Sequence, residues 1–479
     1  MAKQQFGQLR AAAIDGRTQT IYYRQAQLEK LYETLVENAT SIQEVIVTDT
    51  GVSQAEARIE YSLALSSLRE QYAQLDPLKE HEEEYLIREG RNAPSLRTGV
   101  GIVYIKPTTH TLFFSVISPL SAAIAAGNCV LLQLENNLRE VSGLLRKLLK
   151  DCLDPSTFEI AQEVVTETTF LDSCVQVVQD GINQIVSTPK ALTFAVVDRT
   201  ANLDNAARAL VNARFAFGGR SPYAPDVVLV NEFVKKDFLQ ALVRQTIGVG
   251  EDGALANGAL TKHNKKVQGL KGFLSNMQKE AGVRIITQED SGAIIDVQQR
   301  SAKILQNKVN EACLIVHSIR SLDDAIDLAN RGDRLLAGYH FASPAQGKYL
   351  SQFIAAQVSF VNHIPSELFV GPAAPINHGF DATFRYPAEL FSEPAPAFIT
   401  PSPQASTVFS ALAGPPAERT LALRNLTQNA TAALPVVRKR ANDGMIGYFE
   451  QGFLVHLGLS VVATIATIGG GIWWLRNRR

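Results

Sequence analysis

An excess of charge of either sign is missing from this sequence: 46 Lys and Arg stand against 47 Asp and Glu in 479 residues, a net charge of -1. No global field draws the body to nucleic acid or to an acidic surface, so no nucleic-acid partner is expected. Cysteine is scarce. The four present, Cys129, Cys152, Cys174 and Cys313, lack CxxC spacing, which argues against a disulfide framework and a zinc site and fits a reducing compartment. No metal site is expected. An apolar run behind a basic start is also missing from MAKQQFGQLR, so no secretory signal peptide is expected and the body should stay cytosolic. The sequons at Asn38, Asn425 and Asn429, which matter only in a secretory lumen, then read as chance matches. Internal repeats and long low-complexity tracts are absent, and the length is too great for one ordinary core, so two or more domains are expected.

The far end of the chain carries what the rest lacks. From Gly452 to Leu475, GFLVHLGLSVVATIATIGGGIWWL has no formal charge, and at about 1.5 Å per residue it reaches roughly 35 Å, enough to cross a bilayer core. A buried core helix is the competing reading, but such helices are shorter. Trp473 and Trp474 stand where amphipathic rings favour the interface, with Arg476, Arg478 and Arg479 beyond them. Gly469, Gly470 and Gly471 are better tolerated in lipid than in an aqueous helix. Arg438, Lys439 and Arg440 lie ahead of the span, either as a solvated run or as an attraction to anionic lipid. Basic residues flank both sides, so charge counting gives no orientation.

In the first eighty or so residues apolar positions recur at helical spacing, with Leu28, Leu31 and Leu35 on one stripe. GVGIVYI (99–105), a helix through AAIAAGN and the run CVLLQL then read as strand, helix, strand, the unit of a parallel sheet. The alternation recurs through ALTFAVVD, NLDNAARALVNARFAF, VVLV and VKKDFLQALVRQTI, and later through ACLIVHSI, SLDDAIDLANR and LAGYHFAS. An α/β fold follows. Residues 401–451, rich in Ala, Pro, Ser and Thr, read as a flexible linker.

Several of these segments resemble the class 3 aldehyde dehydrogenases, among them the fatty aldehyde dehydrogenases, which also carry a membrane-spanning C-terminus. LRAAAIDGRTQTIYYRQAQLEKLYETLVEN is similar to their N-terminal helices and GVGIVYIKPTTHTLFFSVISPLSAAIAAGNCVLLQLENN to their next segment. NLDNAARALVNARFAFGGRSPYAPDVVLV resembles the region of the family's nucleophile, SLDDAIDLANRGDRLLAGYHFAS a later stretch, and HGFDATFRYPAELFS the closing segment. The resemblance implies an aldehyde dehydrogenase-like α/β fold: N-terminal helices with a degenerate Rossmann-type dinucleotide-binding domain (1–189), a catalytic-type α/β domain (190–364) and a closing segment or oligomerisation arm (365–400). The linker (401–451) and the transmembrane helix (452–475) complete the expected layout.

Family members attack the aldehyde with a cysteine thiolate, pass hydride to NAD or NADP and hydrolyse the thioester, so nucleophile, oxyanion donor, base and cofactor cradle are each needed. The family's cysteine, in GQxC before APD, falls on Pro222, which has neither a nucleophilic side chain nor a backbone N–H. Ser221 sits next door, but a serine hydroxyl needs an adjacent base, and its side chain should leave the backbone in a different direction. His110 takes the place of the oxyanion asparagine of WNYP; an imidazole N–H can in principle donate there, although a lone loop histidine is more often an ordinary polar residue. The general-base glutamate falls near Thr188, in TPKALTF, which offers no carboxylate. About ten residues separate CVQVV from Thr188, where the family has a glycine turn and a helix against the pyrophosphate. The lysine of KPSE becomes Gln133, and the glutamate and phenylalanine of EIFGP become Lys308 and Asn310, within one residue of register.

These losses imply a pseudoenzyme with no catalytic residues and no cofactor. It would be a membrane-tethered scaffold, paired as a homodimer or as a heterodimer with an active aldehyde dehydrogenase. The alternative is an NAD(P)-dependent oxidoreductase acting on apolar, fatty aldehydes through a non-standard site, with Cys174 as the cysteine closest in sequence to the altered cofactor region. A third reading makes the body a structural cap on the anchor. Endoplasmic reticulum, peroxisome and mitochondrial outer membrane all suit the tail.

Overall fold

The computed structural model describes residues 6–135, 139–180, 185, 187–252, 260–289, 292–376, 378–435 and 451–461. The chain divides into two compact units, 1–399 and 400–479. In the first, helices α1 (Gly7–Asp15), α2 (Ile21–Glu37), α3 (Ala39–Thr50), α4 (Gln54–Ala73) and α5 (Pro77–Tyr85) precede the sheets. Leu28, Leu31 and Leu35 are fully buried, as their spacing on one face of α2 requires.

A short antiparallel ribbon pairs β1 (Arg97–Gly99) with β13 (Ser392–Pro394). The first main sheet holds β2 (Ile102–Lys106), β3 (Cys129–Gln133), β4 (Phe158–Ala161) and β5 (Val175–Val178), all parallel in the order β4-β3-β2-β5. Its crossovers are α6 (Leu112–Ala125), α7 (Glu140–Cys152) and the one-turn α8 (Thr168–Leu171). Every residue of α6 is buried, which explains a helix apolar on all sides.

Beyond it β6 (Thr193–Val197), β7 (Val227–Asn231), β8 (Val283–Gln288), β9 (Ala293–Val297), β10 (Cys313–Ile319), β11 (Leu335–Phe341) and β12 (Ala356–Val361) form a seven-stranded sheet. Its order is β12-β11-β6-β7-β10-β9-β8, parallel except for the β8 edge. Helices α9 (Leu203–Phe215), α10 (Lys235–Asp252), α11 (Leu260–Met277), α12 (Leu322–Ala329) and α13 (Pro344–Phe353) alternate with these strands. β6, β7 and β9 are buried along their whole length, the expected fate of parallel strands covered on both faces. Between β5 and β6 the described residues hold no helix.

The stretch expected to be a flexible linker carries two helices in the second unit, α14 (Pro403–Ala413) and α15 (Pro416–Ala430). The prolines that suggested a linker sit in the first turn of each helix, where a missing N–H costs nothing. Ser402 caps α14 by accepting from Ala405 N at 3.1 Å. Among the described residues no helix is long and apolar enough to cross a membrane. Of the expected span, residues 452–461 are helical with exposed side chains; 462–475, Trp473 and Trp474 included, lie outside the described residues, as do Arg438, Lys439 and Arg440.

Candidate active site

The segment aligned with the family's nucleophile follows α9, which Asn202 caps by accepting from Asn205 N at 3.0 Å. The chain then kinks through three consecutive left-handed residues, Phe217 (φ 50°), Gly218 (φ 68°) and Gly219 (φ 70°). A Cβ on Gly219 would come within 2.6 Å of Glu311 O and 2.7 Å of Arg214 O, so only glycine fits. Phe217 N is held from a distance: Glu56 accepts it at 2.6 Å while also closing the Ser53–Glu56 capping box at the start of α4.

The loop ends on Asp226, whose side chain is fully buried. Its carboxylate accepts from Thr193 N at 2.8 Å, Val309 N at 3.0 Å and Lys308 Nζ at 2.9 Å, with Arg214 Nη1 at 3.7 Å. Burial drives the pKa values of both cations down, and the Asp226 charge opposes that shift in each. Lys308 also donates to Pro222 O at 2.5 Å and Ala191 O at 3.0 Å. The lysine standing where the family holds its cofactor ribose therefore binds the loop that should carry the nucleophile.

Ser221 Oγ donates to Leu368 O at 2.7 Å and accepts from Tyr223 N at 3.2 Å. Its proton is committed to a carbonyl, with no base beside it. His110 Nε2 lies 3.0 Å from Phe369 O, the next carbonyl along. Burial pulls the pKa of His110 down to about 4, with Arg385 and Arg220 adding to the effect. A neutral imidazole has a single N–H, and a carbonyl can only accept. That hydrogen therefore sits on Nε2, and none is left for an oxyanion. Arg385 seals this corner. It is buried, donates to Pro372 O and to Glu367 O (2.9 Å), and lies over the rings of Tyr223 (5.3 Å) and Phe114 (5.9 Å).

Pro222, Lys308 and the 188–191 segment are thus brought together, and His110 joins Ser221 through two successive carbonyls. The remaining positions stay apart. Thr188 accepts a hydrogen bond from Gln357 Nε2. Gln133 is buried at the end of β3, accepts from Tyr104 OH and leaves its amide nitrogen unpartnered. Asn310 is exposed. Of the three positions aligned with the family's cofactor contacts, Gln133 and Lys308 are thus bonded within the protein and Asn310 faces solvent.

All four thiols are buried or half-buried. Burial raises Cys129 and Cys313 to about 12, and Cys152 and Cys174 to about 11. Cys174 packs beside Phe170 and donates to Phe170 O at 3.2 Å, the bonding of a small core residue. Among the described residues no His, Cys, Asp and Glu group could hold a metal ion.

Sequence reasoning missed Arg214, Arg385 and the buried Glu60. The Glu60 carboxylate caps the start of α6, accepting from Phe113 N (3.0 Å) and Phe114 N (3.4 Å), and burial raises its pKa to about 7. These are long-range partners with no local signal; only Asp226 was visible, as the end of the APD match.

The model of the aldehyde dehydrogenase family matches residues 5–165 and 190–367 and skips the short connection that holds β5 and Thr188. Mouse aldehyde dehydrogenase family 3 member B2 is 27% identical over 371 residues, covering 71% of this chain and 76% of its own. The rat dimeric NADP-preferring aldehyde dehydrogenase is 24% identical over 365 residues, covering 70% and 79%. Among solved structures, substrate-bound AldH of Staphylococcus aureus superposes with TM-score 0.67 at 18% identity, over 89% of this chain and 99% of that one. Glyceraldehyde-3-phosphate dehydrogenase GapN of Methanocaldococcus jannaschii, complexed with NADP, gives 0.60 at 14% identity, over 81% and 91%. With two thirds of its residues inside the family model, the whole α/β body following the same fold, this chain belongs to the aldehyde dehydrogenase family.

Proposed function

We propose that this chain is a dehydrogenase-silent member of its family, binding no dinucleotide and serving as a membrane-tethered scaffold or partner of active dehydrogenases. One observation carries the reading. At the nucleophile position stands Pro222, and the polar groups around it are spent on main-chain carbonyls: the Lys308 ammonium and the Thr193 hydroxyl both donate to Pro222 O, and the Ser221 hydroxyl donates to Leu368 O. The nucleophile, the oxyanion donor, the base and the ribose clamp are each replaced by a group with a structural task, and losing any one alone costs orders of magnitude in rate.

The tether in this proposal is the apolar segment 452–475, with the body in the cytosol, on the endoplasmic reticulum, peroxisome or mitochondrial outer membrane. The partner is a second copy or an active relative. β12 supports pairing: it is one of the two outer strands of the seven-stranded sheet and is half-buried along its length, an edge open to strand addition. The rat relative is itself named as dimeric. The competing reading, NAD(P)-dependent oxidation of apolar aldehydes, finds no thiol ready to ionise.

Titrating purified residues 1–450 with NAD and NADP, following cofactor fluorescence, tests the silent site, and saturable binding would count against it. Pull-down of the full chain from membranes tests the scaffold role. Recovery of neither a second copy nor a dehydrogenase would remove that part of the proposal.

A further inference from the structure

Where the connection between β5 and β6 is short, a cleft of about 1170 Å³ opens at the N-terminal ends of β6, β7, β11 and β12. Its floor is the apolar layer otherwise closed by α12: Phe194, Val227, Leu229, Leu305, Leu328 and Leu335. This space is large for a small-molecule site; its lining does not include His110, Ser221 or Arg385, from which Tyr223 divides it by contacts with Ala374 and Phe380.

The rim is charged. Lys190, Arg300, Arg331 and Arg334 line the cleft with only Asp180 and Asp333 as carboxylates. Arg300 is neutralised by Asp324, and Arg334 uses Nε and Nη2 on Ala356 O, at 3.1 and 2.9 Å, leaving Nη1. Lys190 and Arg331 have no ion-pair partner among the described residues. An apolar floor beneath unpaired cations is complementary to one kind of molecule: an apolar chain gains by burial below, and an anionic head gains at the rim.

We propose that this cleft binds a single-chain amphiphile with an anionic head, carboxylate or phosphate, between the apolar floor and the cationic rim. The site does not depend on whether the chain is silent as a dehydrogenase, because it uses none of the positions aligned with the family's catalytic groups except the wall residue Thr188.

The test uses residues 1–399, which contain every strand and core cluster of the body. Calorimetric titrations are run with dodecanoate, dodecyl phosphate, their octyl homologues, decanol, inorganic phosphate and NADPH. The two twelve-carbon anions should bind one to one, the larger affinity identifying the head. Shortening by four methylenes should weaken binding about a hundredfold; decanol, two methylenes shorter and without the charged head, should bind more than about a hundredfold more weakly, and inorganic phosphate at least about tenfold more weakly. Combined Lys190→Glu and Arg331→Glu changes, both at exposed positions, should weaken the anions about tenfold or more with an unchanged melting temperature. Gly332→Trp plugs the mouth independently: nothing lies within 4 Å of a Cβ there, so the fold has room for it, and binding should be lost. Absence of binding, binding untouched by both sets of variants, or displacement of the amphiphile by NADPH would each overturn the proposal.

Discussion

Replacing Lys308 with methionine keeps the length of the side chain and removes its charge, so it isolates the contacts that hold the Pro222 loop. Three are lost: the 2.9 Å pair with Asp226 and the bonds to Pro222 O and Ala191 O. Breaking a buried pair costs about 3–5 kcal/mol. The lower end applies here, because the Lys308 side chain keeps 14% exposure and Asp226 retains Arg214 and two backbone donors. Unfolding entropy of about 2.1 cal/mol/K per residue gives roughly 0.8 kcal/mol/K for the body. A loss of about 3 kcal/mol then lowers its melting temperature by about 4 °C. The assay is scanning calorimetry of residues 1–399 at one fixed scan rate, with Asp226→Asn alone and in combination. The double variant should lose about 1–3 kcal/mol less than the sum of the single ones. A Lys308→Met protein melting within about 1 °C of the parent would refute the idea that this lysine took on a structural task.

Acid lability provides a second check. His110 has a folded pKa of about 4 against an ordinary 6.5, so the unfolded chain binds the extra proton, and its stabilising contribution is complete above pH 6.5 and lost as pH falls towards 4. His110→Gln should flatten the pH dependence of stability across that window, as followed by urea unfolding at half-unit steps. Glu60 has the opposite sign: with a folded pKa of about 7 against 4.5, the folded chain holds the extra proton, and stability falls as pH rises from 4.5 through 7. Glu60→Gln should abolish that decline, and an unchanged slope would show that the carboxylate is already ionised in the fold. Gly219→Ala places a Cβ 2.6 Å from a carbonyl oxygen at φ 70°. It should cost more than about 2 kcal/mol, read as a lower denaturation midpoint. His340 is buried on β11 with both ring nitrogens unpartnered; His340→Leu removes the unsatisfied polar atoms at closely matched volume and should raise the melting temperature by about 1–3 °C.

Much of the fold was legible because burial on both faces leaves short, branched apolar runs that alternate with amphipathic helices. GVGIVYI, CVLLQL, VVLV and ACLIVHSI all became strands of parallel sheets. The region after residue 400 was misread for a local reason: proline signals a linker by composition, but Pro403 and Pro416 open helices by position. At the candidate site the sequence offers an alignment of single positions and is silent on what each side chain there bonds to. Pro222 could be located because Ala224, Pro225 and Asp226 fix the register. The contacts of Lys308 with Pro222, 86 residues apart, and of Ser221 with Leu368, 147 apart, exist only after the strands are assembled. The proton on His110 likewise became assignable only once its neighbour proved to be a carbonyl, and the cleft appears only when β6, β7, β11 and β12 are lined up.

The most direct measurement is turnover. Purified residues 1–479 in nanodiscs are incubated with NAD or NADP and a panel of aldehydes from acetaldehyde to hexadecanal, and reduced cofactor is followed at 340 nm beside the Pro222→Cys variant. Neither protein should produce reduced cofactor above the blank, because restoring sulfur alone leaves His110 without a free N–H and Lys308 in the place of the ribose clamp. Aldehyde-dependent reduction by the unmodified chain would contradict the account at its root.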